Sequence, residues 1–137
     1  MSENTPSGKI AISTDLAPKA IGPYSQAVRS GDLIFVSGQI ALDPGTGELA
    51  VGGIEAETRQ ALKNLSQVLV AAGATWKEVV RTTLYLTNLA DFAAVNAVYS
   101  EFVGPTTPPA RATVQVSALP RGAAIEIDAV AHILDKQ

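Results

Sequence analysis

Two fixed charges, Arg111 and Glu126, sit inside runs that otherwise read as buried β-strands. Arg111 lies in Pro108-Pro109-Ala110-Arg111-Ala112-Thr113-Val114-Gln115-Val116-Ser117, and Glu126 in Ala123-Ala124-Ile125-Glu126-Ile127-Asp128-Ala129-Val130-Ala131-His132-Ile133. A guanidinium grips a carboxylate or phosphate through a planar fork, whereas a carboxylate can position a water or move a proton. The pair therefore suggests a site where a small anion is hydrolysed. A structural ion pair, or polar faces that meet solvent, explains the same residues with no chemistry at all. Period-2 alternation sets Arg111, Thr113, Gln115 and Ser117 on one face of the first strand, and Glu126, Asp128 and His132 on one face of the second. The other faces, with Ala112, Val114 and Val116 and with Ile125, Ile127, Ala129, Ala131 and Ile133, are the expected core.

Further blocks bear on the choice. Pro109-Ala110-Arg111-Ala112-Thr113-Val114 is followed by Leu119 and then Ile125-Glu126-Ile127. Upstream stand Ala20-Ile21-Gly22-Pro23-Tyr24-Ser25-Gln26-Ala27, Val36-Ser37-Gly38-Gln39-Ile40, Thr58-Arg59-Gln60-Ala61-Leu62-Lys63-Asn64-Leu65 and Asp91-Phe92-Ala93-Ala94-Val95-Asn96-Ala97-Val98-Tyr99. In this order, from about Ala11 to Ile133, the chain resembles the RidA (YjgF-type) family of reactive-intermediate or imine deaminases. The resemblance implies a chorismate-mutase-like fold assembled as a homotrimer, with sites in the clefts between subunits. It also implies hydrolysis of enamines and imines, such as 2-aminoacrylate and its 2-imino tautomer, to 2-keto acids and ammonia. An imine carbon is already electrophilic, so holding the carboxylate, placing water and managing protons suffice without metal or cofactor.

By the same resemblance Arg111 binds the substrate carboxylate, Glu126 orients or deprotonates water, and Tyr24 borders the pocket, where its hydroxyl can donate. Read alone, Tyr24 is equally a half-buried packing residue. Gly38 would bring main chain close to the ligand, and its alternative is a plain strand bulge. Thr113 departs from the cysteine frequent at this point of the motif. A backbone N–H would survive that change, whereas any thiol-dependent behaviour would not. Phe92 and Asn96 match a helix that abuts the family site and form a pocket wall, with ordinary helix packing the simpler role for Phe92. Asp128 could tune Glu126 by repulsion, but a solvated or ion-paired carboxylate is the plainer expectation. His132 reads as a strand-face residue.

The elements that must position these groups follow from pattern. Lys9 to Ser13 is an edge strand, and Val28 to Val36 a hairpin turning at Ser30-Gly31-Asp32. Asp43 to Glu48 is a loop. Ile54, Ala61, Leu62, Leu65, Val68, Leu69 and Ala72 form the apolar stripe of a helix that Gly73 ends. Trp76 anchors the helix end. Val79 to Thr87 is a β-branched central strand. Asp91 is a candidate N-cap of a second helix with Phe92, Val95, Tyr99 and Phe102 on its apolar face, stopped by Gly104-Pro105. The order predicts an α+β sandwich, a mixed sheet with two helices on one face and a polar face that needs a partner.

Composition excludes several classes. A chain of 137 residues fits one domain over 1–137, with 1–8 a flexible lead that lacks a secretory core. Charged residues are 17% against the usual roughly 25%, which points to surface covered by copies of the chain. The net charge of -3 argues against a general nucleic-acid or anionic-membrane surface. RNA cleavage, attached to some RidA relatives, is thus the weaker enzymatic reading. A trimer that only binds small carboxylates or partner proteins is the non-enzymatic alternative. With no cysteine and one histidine the chain lacks a zinc-deaminase ligand set. No run is long and apolar enough to span a membrane, and the expected location is the cytoplasm.

Overall fold

The computed structural model describes residues 8–134. Most of the expected flexible lead, residues 1–7, lies outside that range. The elements run β1 (Lys9–Ile12), β2 (Ala27–Ser30), β3 (Leu33–Gln39), α1 (Ile54–Ala71), β4 (Val79–Leu86), α2 (Phe92–Val103), β5 (Ala110–Gln115) and β6 (Ile125–His132). The sheet order is β1-β2-β3-β6-β4-β5, antiparallel except for the parallel pair β4 and β5. Inserting β6 between β3 and β4 puts Glu126 in the middle of the sheet, while Arg111 rides on the edge strand β5.

Both helices lie on one face of the sheet, as expected from the pattern. The stripe of α1 buries Leu62, Leu65, Val68 and Leu69 completely against Ile34, Leu84, Ile125 and Ile127. Each such side chain contributes about 1.5–3 kcal/mol. The helix ends as its glycine foretold. Gly73 takes φ +87, and the Ala74 N–H donates to the Leu69 carbonyl while the Gly73 N–H donates to that of Val70, a Schellman closure. Trp76 is the expected anchor: its Nε1–H donates to Ser66 Oγ at 2.8 Å, and its ring meets Tyr99 and Phe102 edge-on.

Three expectations are corrected. Asp91 makes no side-chain cap; Asn88 caps the turn before α2 instead, its Oδ1 accepting from the Ala90 N–H at 2.9 Å. On β5 the buried and open faces are reversed. Its parallel register sets Arg111 beside Thr82 and Thr113 beside Leu84, both buried against the helices, while Ala112 and Val114 align with Thr83 and Tyr85 on the other side. Val114 is therefore 41% exposed and takes no part in the core. Finally, the uncovered sheet face is not simply polar, because Phe35 and Leu33 stand exposed on it beside Val130 and His132.

Candidate active site

The register that reverses β5 also separates the two charges. Thr82, fully buried under α2, is the neighbour of Arg111 on β5 and of Ala129 on β6. Glu126 pairs with Tyr85, three residues further along β4 and so on the opposite face. Within one protomer Arg111 points to the helix layer and Glu126 to the open side.

On the helix side Arg111 is clamped. Its guanidinium carbon lies 4.9 Å from the Tyr99 ring centroid and 5.3 Å from that of Phe92. Phe92, Asn96 and Tyr99 occupy positions i, i+4 and i+7 of α2 and so share one stripe. Tyr99 is fixed in turn by a 2.8 Å hydrogen bond with Thr82 Oγ1 and by the edge of Trp76. Phe92, 44% exposed, sets its ring against the Arg111 guanidinium, opposite a more deeply buried Tyr99. Asn96 Oδ1 and Thr113 Oγ1 are enclosed in the protomer with no hydrogen-bond partner.

On the open side a cleft of ≈ 580 Å³ brings together Tyr24, Gly38 and Glu126. Gly38 falls in the register shift where β3 bulges against β6. A methyl group built on it would lie 1.9 Å from Glu126 Oε2, so the carboxylate occupies the space a side chain would fill. Bulge and close approach, alternatives in sequence, are the same feature here, and the group that approaches is the chain's own carboxylate. Burial pushes the Glu126 carboxyl above its ordinary pKa, and the neighbouring Asp128 charge adds to the shift. Asp128, half-buried, accepts a 3.0 Å hydrogen bond from the Tyr85 hydroxyl. Tyr24 Oη accepts from the Ile21 N–H at 3.3 Å, which leaves its own proton free to donate into the cleft.

Motif residues without chemistry hold this wall in place. Buried Gln26 accepts from the Thr14 N–H at 2.7 Å and donates to the Pro18 carbonyl at 2.7 Å, tying down the segment that precedes Tyr24. Asn64 of α1 donates to the carbonyls of Ile40 and Leu42, fixing the exit of β3. Sequence reasoning gave neither a role. It also placed Tyr99 only on an apolar stripe; its spacing from Phe92 and Asn96 was the available sign. Among the described residues no three His, Cys, Asp or Glu side chains converge to hold a metal ion.

The arrangement offers a guanidinium held between two rings on one face of the sheet and a half-buried carboxyl on the other. Known proteins share the chain's pattern. A family model described as Endoribonuclease L-PSP matches residues 14–133. Protein DfrA of Myxococcus xanthus is 56% identical over 124 residues, covering 88% of this chain and 93% of that protein. The 2-iminobutanoate/2-iminopropanoate deaminase of Mus musculus is 51% identical over 120 residues, 88% of each chain. The crystal structure of E. coli TdcF with bound serine is 39% identical with a TM-score of 0.88, covering 91% of this chain and 99% of that one. Agreement over so much of the chain, in sequence and in fold, identifies it as a member of the Endoribonuclease L-PSP family, the RidA (YjgF-type) family its motifs resemble.

Proposed function

We propose that this protein hydrolyses reactive 2-enamines and 2-imines to 2-keto acids and ammonia, as a homotrimer of chorismate-mutase-like, single-domain protomers acting in the cytoplasm. The observation that carries the reading is a clamped guanidinium and a proton-accepting carboxylate kept on opposite faces of one sheet, in a chain 51% identical to a protein named for this reaction. In the proposed site Arg111 of one copy holds the substrate carboxylate in its fork, with Phe92 and Asn96 as wall and Thr113 contributing backbone. Glu126 of a second copy, beside Gly38, takes a proton from water as its oxygen attacks C2. The carbinolamine that forms keeps the substrate carbons. With the imine nitrogen protonated at the start, Glu126 then returns the proton to the amino nitrogen; as the C–N bond breaks and ammonia leaves, the remaining hydroxyl proton passes to Glu126, the carbonyl forms, and Glu126 gives that proton to solvent. Tyr24 donates a hydrogen bond at the same wall. The raised pKa of Glu126 suits a group that must both take and return a proton.

Serine, the molecule bound to E. coli TdcF, carries the same α-carboxylate and α-nitrogen as a 2-imino acid. An RNA substrate fits less well, since the net charge is -3 and the cleft wall carries Glu126. The direct test is keto-acid and ammonia release from imines generated in situ, compared with spontaneous hydrolysis. Subunit mixing tests the geometry. Arg111→Ala and Glu126→Gln proteins, each inactive alone, should regain activity when unfolded and refolded together, because roughly a quarter of interfaces then pair an intact Arg111 with an intact Glu126. No recovery in correctly assembled mixtures, or a stable and fully active monomer by light scattering, refutes the shared site.

A further inference from the structure

The cleft that holds Glu126 carries two cations the proposed reaction does not use. Lys19, from the segment before β2, and Arg121, from the turn before β6, line it together with Tyr24 and Glu126. Arg121 sits at φ 61 and ψ 18, the one non-glycine with positive φ among the described residues. That conformation is strained for an ordinary side chain and recurs at ligand-binding sites. Only part of the guanidinium is occupied: Nη2 donates to the Gly47 carbonyl at 3.2 Å, bracing the side chain against the Asp43–Glu48 loop.

Space points the same way. At ≈ 580 Å³ the cleft exceeds what a three-carbon imino acid fills, and Ile21, Ile40 and Leu42 line it with apolar surface suited to methylenes. An elongated ligand with an apolar middle and a second negative end matches that lining.

We propose that Lys19 and Arg121 form a distal anion site, so that the protein accepts 2-imino acids whose side chain ends in a carboxylate, those derived from dicarboxylic amino acids. This rests on the deaminase reading. Arg111 of one copy takes the α-carboxylate, and the planar C2 directs the side chain away from it, into the cleft that Lys19 and Arg121 line. The second carboxylate there gains a charge-assisted fork.

The test compares imines generated in situ by oxidation of glutamate and of 2-aminobutanoate, with a Lys19→Gln/Arg121→Asn variant. Asparagine tolerates the left-handed backbone, so the charge is removed without adding strain. The variant should lose about tenfold or more in kcat/KM on the glutamate-derived imine while staying within about twofold on the four-carbon imine. Calorimetry supplies a readout free of catalysis: 2-oxoglutarate should bind the parent more tightly than 2-oxobutanoate does, and the variant should abolish the difference. Equal losses on both substrates, or a parent that leaves the glutamate-derived imine at its spontaneous rate, overturn the distal site. Inactivity of the parent on both imines instead sinks the deaminase reading itself.

Discussion

Replacing Gly38 by alanine should imitate the loss of the catalytic base without touching it. The new methyl carbon would stand 1.9 Å from Glu126 Oε2 and 2.7 Å from its carboxyl carbon, against an ordinary contact of at least 3.4 Å. The carboxylate must retreat by about 1.5 Å. Because the obstructing atoms are the end of a flexible, partly exposed side chain, the fold should yield cheaply. The cost should stay below the roughly 1–3 kcal/mol of overpacking a rigid core. Catalysis has no such freedom, since a misplacement of ~1 Å can cost about 10²-fold. Complete loss of positioned acid–base help costs on the order of 10²–10⁴. Gly38→Ala should thus lower kcat by about 10²-fold on 2-iminobutanoate and leave KM within about twofold, because Arg111 lies on the other sheet face. Adding Glu126→Asp, one methylene shorter, should relieve the clash and restore part of the loss. Steady-state kinetics on imines made in situ, with melting curves and light scattering as controls, decide the matter. A folded, assembled Gly38→Ala protein working at the parent rate would falsify the claim that Glu126 acts from its observed position.

Asp128→Asn removes the like charge beside Glu126, so its carboxyl should ionise more readily and the acidic limb of the kcat/KM profile should move to lower pH. Glu126→Gln should bind 2-keto acids normally and melt higher than the parent at neutral pH. A carboxyl whose folded pKa is raised favours the fold while protonated and loses that contribution as pH rises through the folded value. Thr113→Val deletes an enclosed hydroxyl that has no partner and should stabilise by about 1 kcal/mol with activity retained; a large activity loss would give the hydroxyl a direct role. Tyr99→Leu removes one ring from the Arg111 clamp and should raise KM roughly 2- to 30-fold with little change in kcat, whereas Tyr99→Phe keeps the ring and should lose less.

Much of the architecture was legible because each element carries its own period or punctuation: the α1 stripe ending at Gly73, the turn at Gly31 and the β-branched run of β4. What escaped was set by register between strands distant in sequence. Alternation tells which β5 residues share a face but not which face meets the helices; Leu84 opposite Thr113 decides that, and nothing inside residues 110–115 reveals it. Likewise, Gly38 looked like room for a ligand, and only the fold shows Glu126 already in that room. Asp91 has the right type for a cap, yet Asn88 performs the task because the chain inserts a 3₁₀ turn at Leu89–Asp91 before α2 begins.

The same register gives the low charge content its physical sense. Side chains on opposite faces of one sheet cannot grip one small substrate, so in the proposed reaction Arg111 and Glu126 would cooperate across a boundary between copies. Such a boundary needs surface, and the open face supplies it: Phe35 at 45%, Leu33 at 38% and Val114 at 41% exposure lie on the side where Glu126 waits. Burying these residues between copies would contribute to assembly and exclude water around Glu126, strengthening the burial that already raises its pKa. Association and proton affinity are then one physical event. A substitution such as Phe35→Asp, remote from the reacting atoms, should weaken assembly and activity together. Raising the protein concentration should restore both in parallel, an outcome that local damage to the Glu126 wall would not produce.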